Sequence, residues 1–256
     1  MRLSTLAALV LAAPLAHADL ETLAPVRDGS LWDEPGGALA SGAGPALFLG
    51  TSGNGQRRRA VIDFDVAGSI PAGSTITAVS LVVHCDQTPG GGVPNPVGLH
   101  RLLADWGEGA SVSAGGGGAP SEVGDATWLH TSFASAFWAA AGGDFDPAAS
   151  AVQPISAIGT VTWTDPALVA DVQAMLDDPV LDHGWLLLAD EALVGQGRRL
   201  VSREGIDPAL RPRLEVEFTP PAGVPWPVAT WVFLALVFVG VGVWNLRTRP
   251  GEPASI

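Results

Sequence analysis

The chain has 256 residues and carries 26 acidic side chains against 13 basic ones, a formal net charge of −13 at pH 7. Residues 19–219 hold 25 of those acids and only 10 of the 13 cations, all of which are arginines. So acidic a surface excludes a nucleic-acid-binding role, which needs basic contacts to phosphate, and the lone Cys85 excludes an intramolecular disulfide framework.

In chain order, residues 1–18 read as a signal peptide. Arg2 supplies the positive start, an apolar Leu/Ala/Val stretch runs to Leu15, and Ala16-His17-Ala18 offers the small residues that a signal peptidase accepts. The mature chain is expected to begin near Asp19, exported. Residues 19–219 are then the length of one large β domain.

Strand patterns follow, separated by turn residues. Ile62, Phe64 and Val66 alternate with Asp63 and Asp65, and both acids are expected on a solvated strand face. Val79, Leu81, Val83 and Cys85 alternate with Ser80 and His84, which places the Cys85 thiol on a buried face. Further strands are predicted at Val26–Trp32, 46–50, 97–103, Thr160–Trp163 and Trp185–Ala189. Leu214, Val216 and Phe218 alternate with Arg213, Glu215 and Glu217. Pro71-Ala72-Gly73 and the glycine runs at 90–92 and 115–118 supply turns. One helix is predicted, capped by Asp165 with Pro166 at its first position, an apolar stripe of Leu168, Val169, Val172, Met175 and Leu176, and Pro179 as its stop. The fold class is therefore all-β: a two-sheet antiparallel β-sandwich, a jelly roll, with one short helix and no βαβ rhythm.

Residues 220–227 form a Pro-rich linker. Residues 228–246 are almost wholly apolar and read as a transmembrane or sorting helix, close to the length of about 20 residues that a bilayer requires. Residues 247–256 are a tail in which Arg247 and Arg249 favour the cytoplasmic side. This arrangement resembles the C-terminal sorting signals of bacterial surface proteins, those processed by exosortase-type or rhombosortase-type enzymes, with Val224-Pro225-Trp226-Pro227 where their Pro-containing motif lies. The expected location is the cell surface or outer envelope, membrane-anchored by the tail or released after its processing.

The domain itself carries an ordered set of short motifs. They are Gln56-Arg57-Arg58-Arg59 running into Val61-Ile62-Asp63-Phe64-Asp65, Ile70-Pro71-Ala72-Gly73, Asp105-Trp106-Gly107-Glu108-Gly109, Asp125-Ala126-Thr127-Trp128, Gly184-Trp185-Leu186-Leu187-Leu188, Ser202-Arg203-Glu204 and Arg211-Pro212-Arg213-Leu214. In that order the sequence resembles the DNRLRE family of bacterial and archaeal secreted modules over residues 25–218. The resemblance implies a non-catalytic jelly-roll module, with some relatives binding acidic polysaccharide such as alginate.

Candidate ligand-binding residues are Trp106 and Trp138, whose position beside glycine-rich loops suits either core packing or stacking on a sugar ring. The Arg57, Arg58 and Arg59 run, with Arg198 and Arg199, is the candidate basic patch for a polyanion. Trp163 and Trp185, on strands, read as core. Asp144 and Asp146 in Gly-Asp-Phe-Asp-Pro offer hard oxygens to calcium, the one candidate cofactor, although no calcium-loop register follows and Asp146-Pro147 is a turn signal. No catalytic residues are assigned: the histidines lack metal-ligand spacing and no nucleophile elbow is present. His100-Arg101 and Arg203-Glu204 read as ion-paired strand residues. The functional expectation is a non-enzymatic surface module binding polysaccharide or a cell-envelope component, with membrane contact through the C-terminal helix. The alternatives are a structural envelope or matrix protein and, third, a polysaccharide-active enzyme built on two facing carboxylates.

Overall fold

A computed structural model describes residues 18–90, 93–113 and 115–221; all but the last residue of the predicted signal peptide, the expected transmembrane helix, nearly all of the linker and the basic tail lie outside the described residues. Among the described residues no helix is long and apolar enough to cross a membrane. Thirteen strands form: β1 Asp19–Leu23, β2 Arg27–Trp32, β3 Leu39–Ser41, β4 Ala46–Thr51, β5 Arg57–Asp63, β6 Thr75–Gln87, β7 Asn95–Arg101, β8 Ala119–Pro120, β9 Ala151–Ile155, β10 Gly159–Trp163, β11 Trp185–Ala189, β12 Arg198–Val201 and β13 Arg213–Thr219. Among the described residues there are also two α-helices, α1 Val66–Ser69 and α2 Pro166–Asp177, and two single 3-10 turns, Pro179–Leu181 and Pro208–Leu210.

All strand pairs are antiparallel, and the fold is all-β and sandwich-like. One sheet runs β1-β13-β6-β12, with β10 also on β6; the other is built around β5, which pairs with β2, β4 and β11, and extends through β7 to β9. β4 pairs with both β12 and β5 and so joins the two sheets. The alternation in β13 and the second half of β6 is that of a half-exposed sheet: Leu214, Val216, Phe218, Leu81, Val83 and Cys85 face the core. Ile76 breaks the odd-number phase yet is also buried. A register shift between Glu217 and Phe218, the one-residue slip of a β-bulge, restores it to the inner face.

The β5 sheet departs from alternation because it is buried on both faces. Ala60, Ile62, Trp185 and Leu187 point to the main core, where they meet Trp163 and the α2 residues Leu168, Val172 and Met175. Val61 and Leu186, with Leu31 of β2, point the other way. They are covered by Leu102, Trp106, Trp128 and Trp138 from the long segment between β7 and β9. That segment has little regular structure and is held by backbone-directed side chains: Asp125 Oδ2 accepts the Glu122 amide at 2.6 Å, and Thr127 Oγ1 accepts the His130 amide at 3.0 Å.

Helix α2 forms as its sequence predicts. Asp165 Oδ1 accepts the Ala167 amide at 2.8 Å, and Pro166 occupies the first turn. Asp165→Ala should lower stability by ~1 kcal/mol through loss of this cap, read as a lower denaturation midpoint at unchanged slope. The strand expected to continue through Phe64 to Val66 is corrected: β5 ends at Asp63 and α1 begins at Val66. The physical cause is Asp65, whose Oδ1 accepts the Gly68 amide at 2.8 Å and so favours a helical turn over an extended chain. Cys85 is free and buried, as expected, and burial pushes its thiol up from the ordinary range.

Candidate functional site

The three consecutive arginines of β5 do not act together, because side chains on a strand alternate between faces. Arg57 pairs with Asp33 at 2.7 Å and lies near Glu191 at 3.6 Å, while Arg59 pairs with Glu191 at 2.8 Å and donates to the Gly142 carbonyl at 2.7 Å. Both guanidinium groups sit over the Trp128 ring, at 5.1 and 4.6 Å from its centre. These two cations clamp the outer layer onto the sheet and are already compensated. Arg58 projects to the opposite face and has no carboxylate partner among the described residues.

Arg58 meets Arg198 and Arg199 in a cleft of about 320 Å³, also lined by Phe48, Ser52, Gln87 and Thr88. Arg199 is paired with Asp86 at 2.7 Å. Arg198 is buried and spends its donors on carbonyls alone, Ile155 at 3.0 Å, Gln196 at 2.8 Å and Val93 at 2.6 Å. Carbonyl oxygens satisfy its N–H groups without cancelling its charge. Two uncompensated guanidinium groups thus share one recess, and burial lowers both of their pKa values, the mark of cations held at the expense of hydration. Of the five arginines of the expected patch, Arg58, Arg198 and Arg199 line this one cleft, and Arg57 and Arg59 lie outside it.

The other predicted residues land elsewhere. Trp106 and Trp138 are only 3% and 5% exposed, which corrects the stacking alternative: neither ring has a face open to a ligand. Their indole N–H groups donate to the carbonyls of His183 and Thr127, both at 2.9 Å. Both rings pack in the second apolar layer with Leu31, Val61, Trp128 and Leu186, and the Arg27 guanidinium covers Trp106. Asp144 accepts the amides of Ala139 and Ala140 at 2.7 and 2.8 Å, and Asp146 accepts that of Ala148 at 2.9 Å. Both act as turn caps, and the structure does not bring them together with a third acid. Arg203 and Glu204 are ion-paired, as read from sequence, but lie in the turn after β12 and not on a strand. Arg101 lies 4.0 Å from Asp171, whereas His100 bonds the Asp146 carbonyl through Nδ1.

Two carboxylate groupings escaped the sequence reading. Asp28, Glu108 and Glu204 converge from distant parts of the chain; Glu108 and Glu204 lie within motifs that had been singled out, but nothing in their spacing signalled contact. The second is Asp63 with Asp182. Asp63 is buried, not solvated as expected, because Arg27 reaches it at 2.7 Å. Asp182 stands within hydrogen-bonding reach of Asp63, and its pKa is pushed up to about 7, first by burial and then by the Asp63 charge. Burial raises Asp63 as well, but the Arg27 guanidinium beside it opposes that rise, so Asp182 is the carboxyl of the pair raised to about 7. Carboxyls close enough to share a proton are nearer than the ~5–5.5 Å spacing of a retaining glycosidase pair.

The geometry defines the chain as an all-β, sandwich-like domain with a basic cleft on an acidic body. No family model matches the chain, and no curated protein matches it.

Proposed function

We propose that this protein is a non-catalytic surface module of the DNRLRE type, a jelly roll that binds an acidic polysaccharide in the Arg58–Arg198–Arg199 cleft. In this reading the chain is exported through residues 1–18 and held at the envelope by the helix of residues 228–246. The observation that carries the reading is the pair Arg58 and Arg198: in a chain of net charge −13, two guanidinium groups without carboxylate partners line one open recess. A uronate carboxylate supplies the missing charge and fits the planar fork of Arg58. Gln87, Thr88 and Ser52 offer hydroxyl and amide partners for sugar oxygens.

Self-assembly through sheet edges, the structural alternative, finds less support. β1 carries exposed Asp19 and Glu21 on its edge, and β9 carries Pro154, which has no amide to donate. Charge and proline on edge strands oppose pairing with another chain.

Calorimetry with an oligouronate and a neutral oligosaccharide of equal length tests the reading. The oligouronate should bind with an affinity that falls as salt rises, and Arg58→Ala should weaken it by about 10-fold or more, the loss of one charge-assisted bond. A folded protein that ignores the oligouronate at low salt, or binds it equally well without Arg58, sinks the proposal.

A further inference from the structure

We propose that Asp28, Glu108 and Glu204 form a binding site for a divalent cation of the calcium class. Asp28 comes from β2, Glu108 from the segment after β7, and Glu204 from the turn after β12, so one ion would tie three remote parts of the chain together. One oxygen from each carboxylate lies within 4.8 Å of the other two. Oxygens bound to a common calcium ion at about 2.4 Å can stand at most about 4.8 Å apart, so the spacing suits that ion.

An acidic cluster is common on protein surfaces, but this one is anchored on a buried acid, with Glu108 and Glu204 only partly exposed. Asp28 is fully buried; its Oδ2 accepts the Arg203 amide at 2.7 Å, while its Oδ1 has no hydrogen-bond partner among the described residues. Glu204 Oε2 is likewise buried and without a partner among them. Buried carboxylate oxygens with free lone pairs require a cation or a proton.

The charge count points to an ion. The Arg203 guanidinium lies 2.9 Å from Glu108 and 2.6 Å from Glu204, which offsets one of the three negative charges. Arg27 is committed to Asp63 and Asp105. Two negative charges remain, the charge that a divalent ion balances. An all-oxygen set of carboxylates is hard and lacks the nitrogen and sulfur donors of zinc sites. Closeness at this point is built in: a Cβ at Gly42 would overlap the Glu108 carbonyl, so the end of β3 packs tightly against the backbone that carries Glu108.

The full chain, stripped with a chelator and exchanged into metal-free buffer, is titrated with calcium chloride by calorimetry while its thermal unfolding is followed in parallel. One equivalent of calcium should bind, and at about 100-fold excess over Kd the unfolding temperature should rise by roughly 5–10 °C, with a smaller rise for magnesium. Glu204→Gln should abolish both effects while keeping the wild-type circular dichroism, because this side chain sits at the partly exposed rim. Glu108→Gln provides a second variant should the first fail to fold. An Asp144→Asn, Asp146→Asn double variant should bind calcium like the wild type. Absence of any binding up to about 5 mM calcium, above the affinities of extracellular calcium modules, overturns the proposal. So does binding that persists in both glutamine variants or that vanishes in the double asparagine variant.

Discussion

Trp106→Ala is expected to cost the fold ~4 kcal/mol and to leave ligand binding by the folded protein unchanged. The ring is almost fully buried among Leu31, Val61, Trp128 and Leu186, its N–H is satisfied by His183, and the Arg27 guanidinium lies 4.5 Å above it. Truncation removes the apolar contacts, opens a cavity under the outer layer and orphans the His183 carbonyl. For a domain of this size the unfolding temperature should drop by about 10 °C. An exposed stacking platform predicts the opposite pair of results, normal melting and lost oligouronate binding, so one variant measured both ways separates the two roles. The same reasoning applies to Trp138, whose N–H is held by Thr127.

The second large effect is on pH. Asp182 is raised to about 7 by burial and by Asp63, so between pH 4 and 7 the folded state holds a proton that the unfolded chain has released. Stability from this group is fully present below the unfolded pKa and is lost as pH rises through the folded one. At about 1.4 kcal/mol per pH unit, discounted for partial solvent screening at this half-buried position, the loss is ~2 kcal/mol. Denaturation midpoints at pH 4.5 and 7.5 should therefore favour the acid side, and Asp182→Asn should remove that difference because an amide keeps the contact without titrating. A variant with the wild-type pH profile would show that the proton does not sit there.

The pair also illustrates what sequence reasoning can reach. Asp63 lies at an alternating position in β5, and period-2 logic assigns it to solvent. The logic fails because Arg27 of the neighbouring strand pairs directly across from Asp63, and the carboxyl is buried with its counter-charge. Arg57 and Arg59 fail as ligand residues for a related reason: Glu191, 132 positions away from Arg59, comes to meet them. Arg58 kept its place since strand alternation alone turns it to the other face. The tryptophans at 106 and 138 were undecided in sequence because a glycine-rich loop can either expose a ring or fold back over it.

Local rules were sufficient for the elements that depend on neighbours in the chain. The Asp165 cap with Pro166 defined α2, alternation defined β13 and the second half of β6, and the apolar run from Trp185 to Ala189 marked a strand. The resulting all-β class follows from side chains that must bury one face of each strand, a constraint written in every few residues. Tertiary structure alone decided which sheet receives the second layer, which arginines remain uncompensated, and that Asp28, Glu108 and Glu204 meet. Those outcomes depend on pairings across tens of residues to well over a hundred, where charge and burial are settled by contacts that no local pattern encodes.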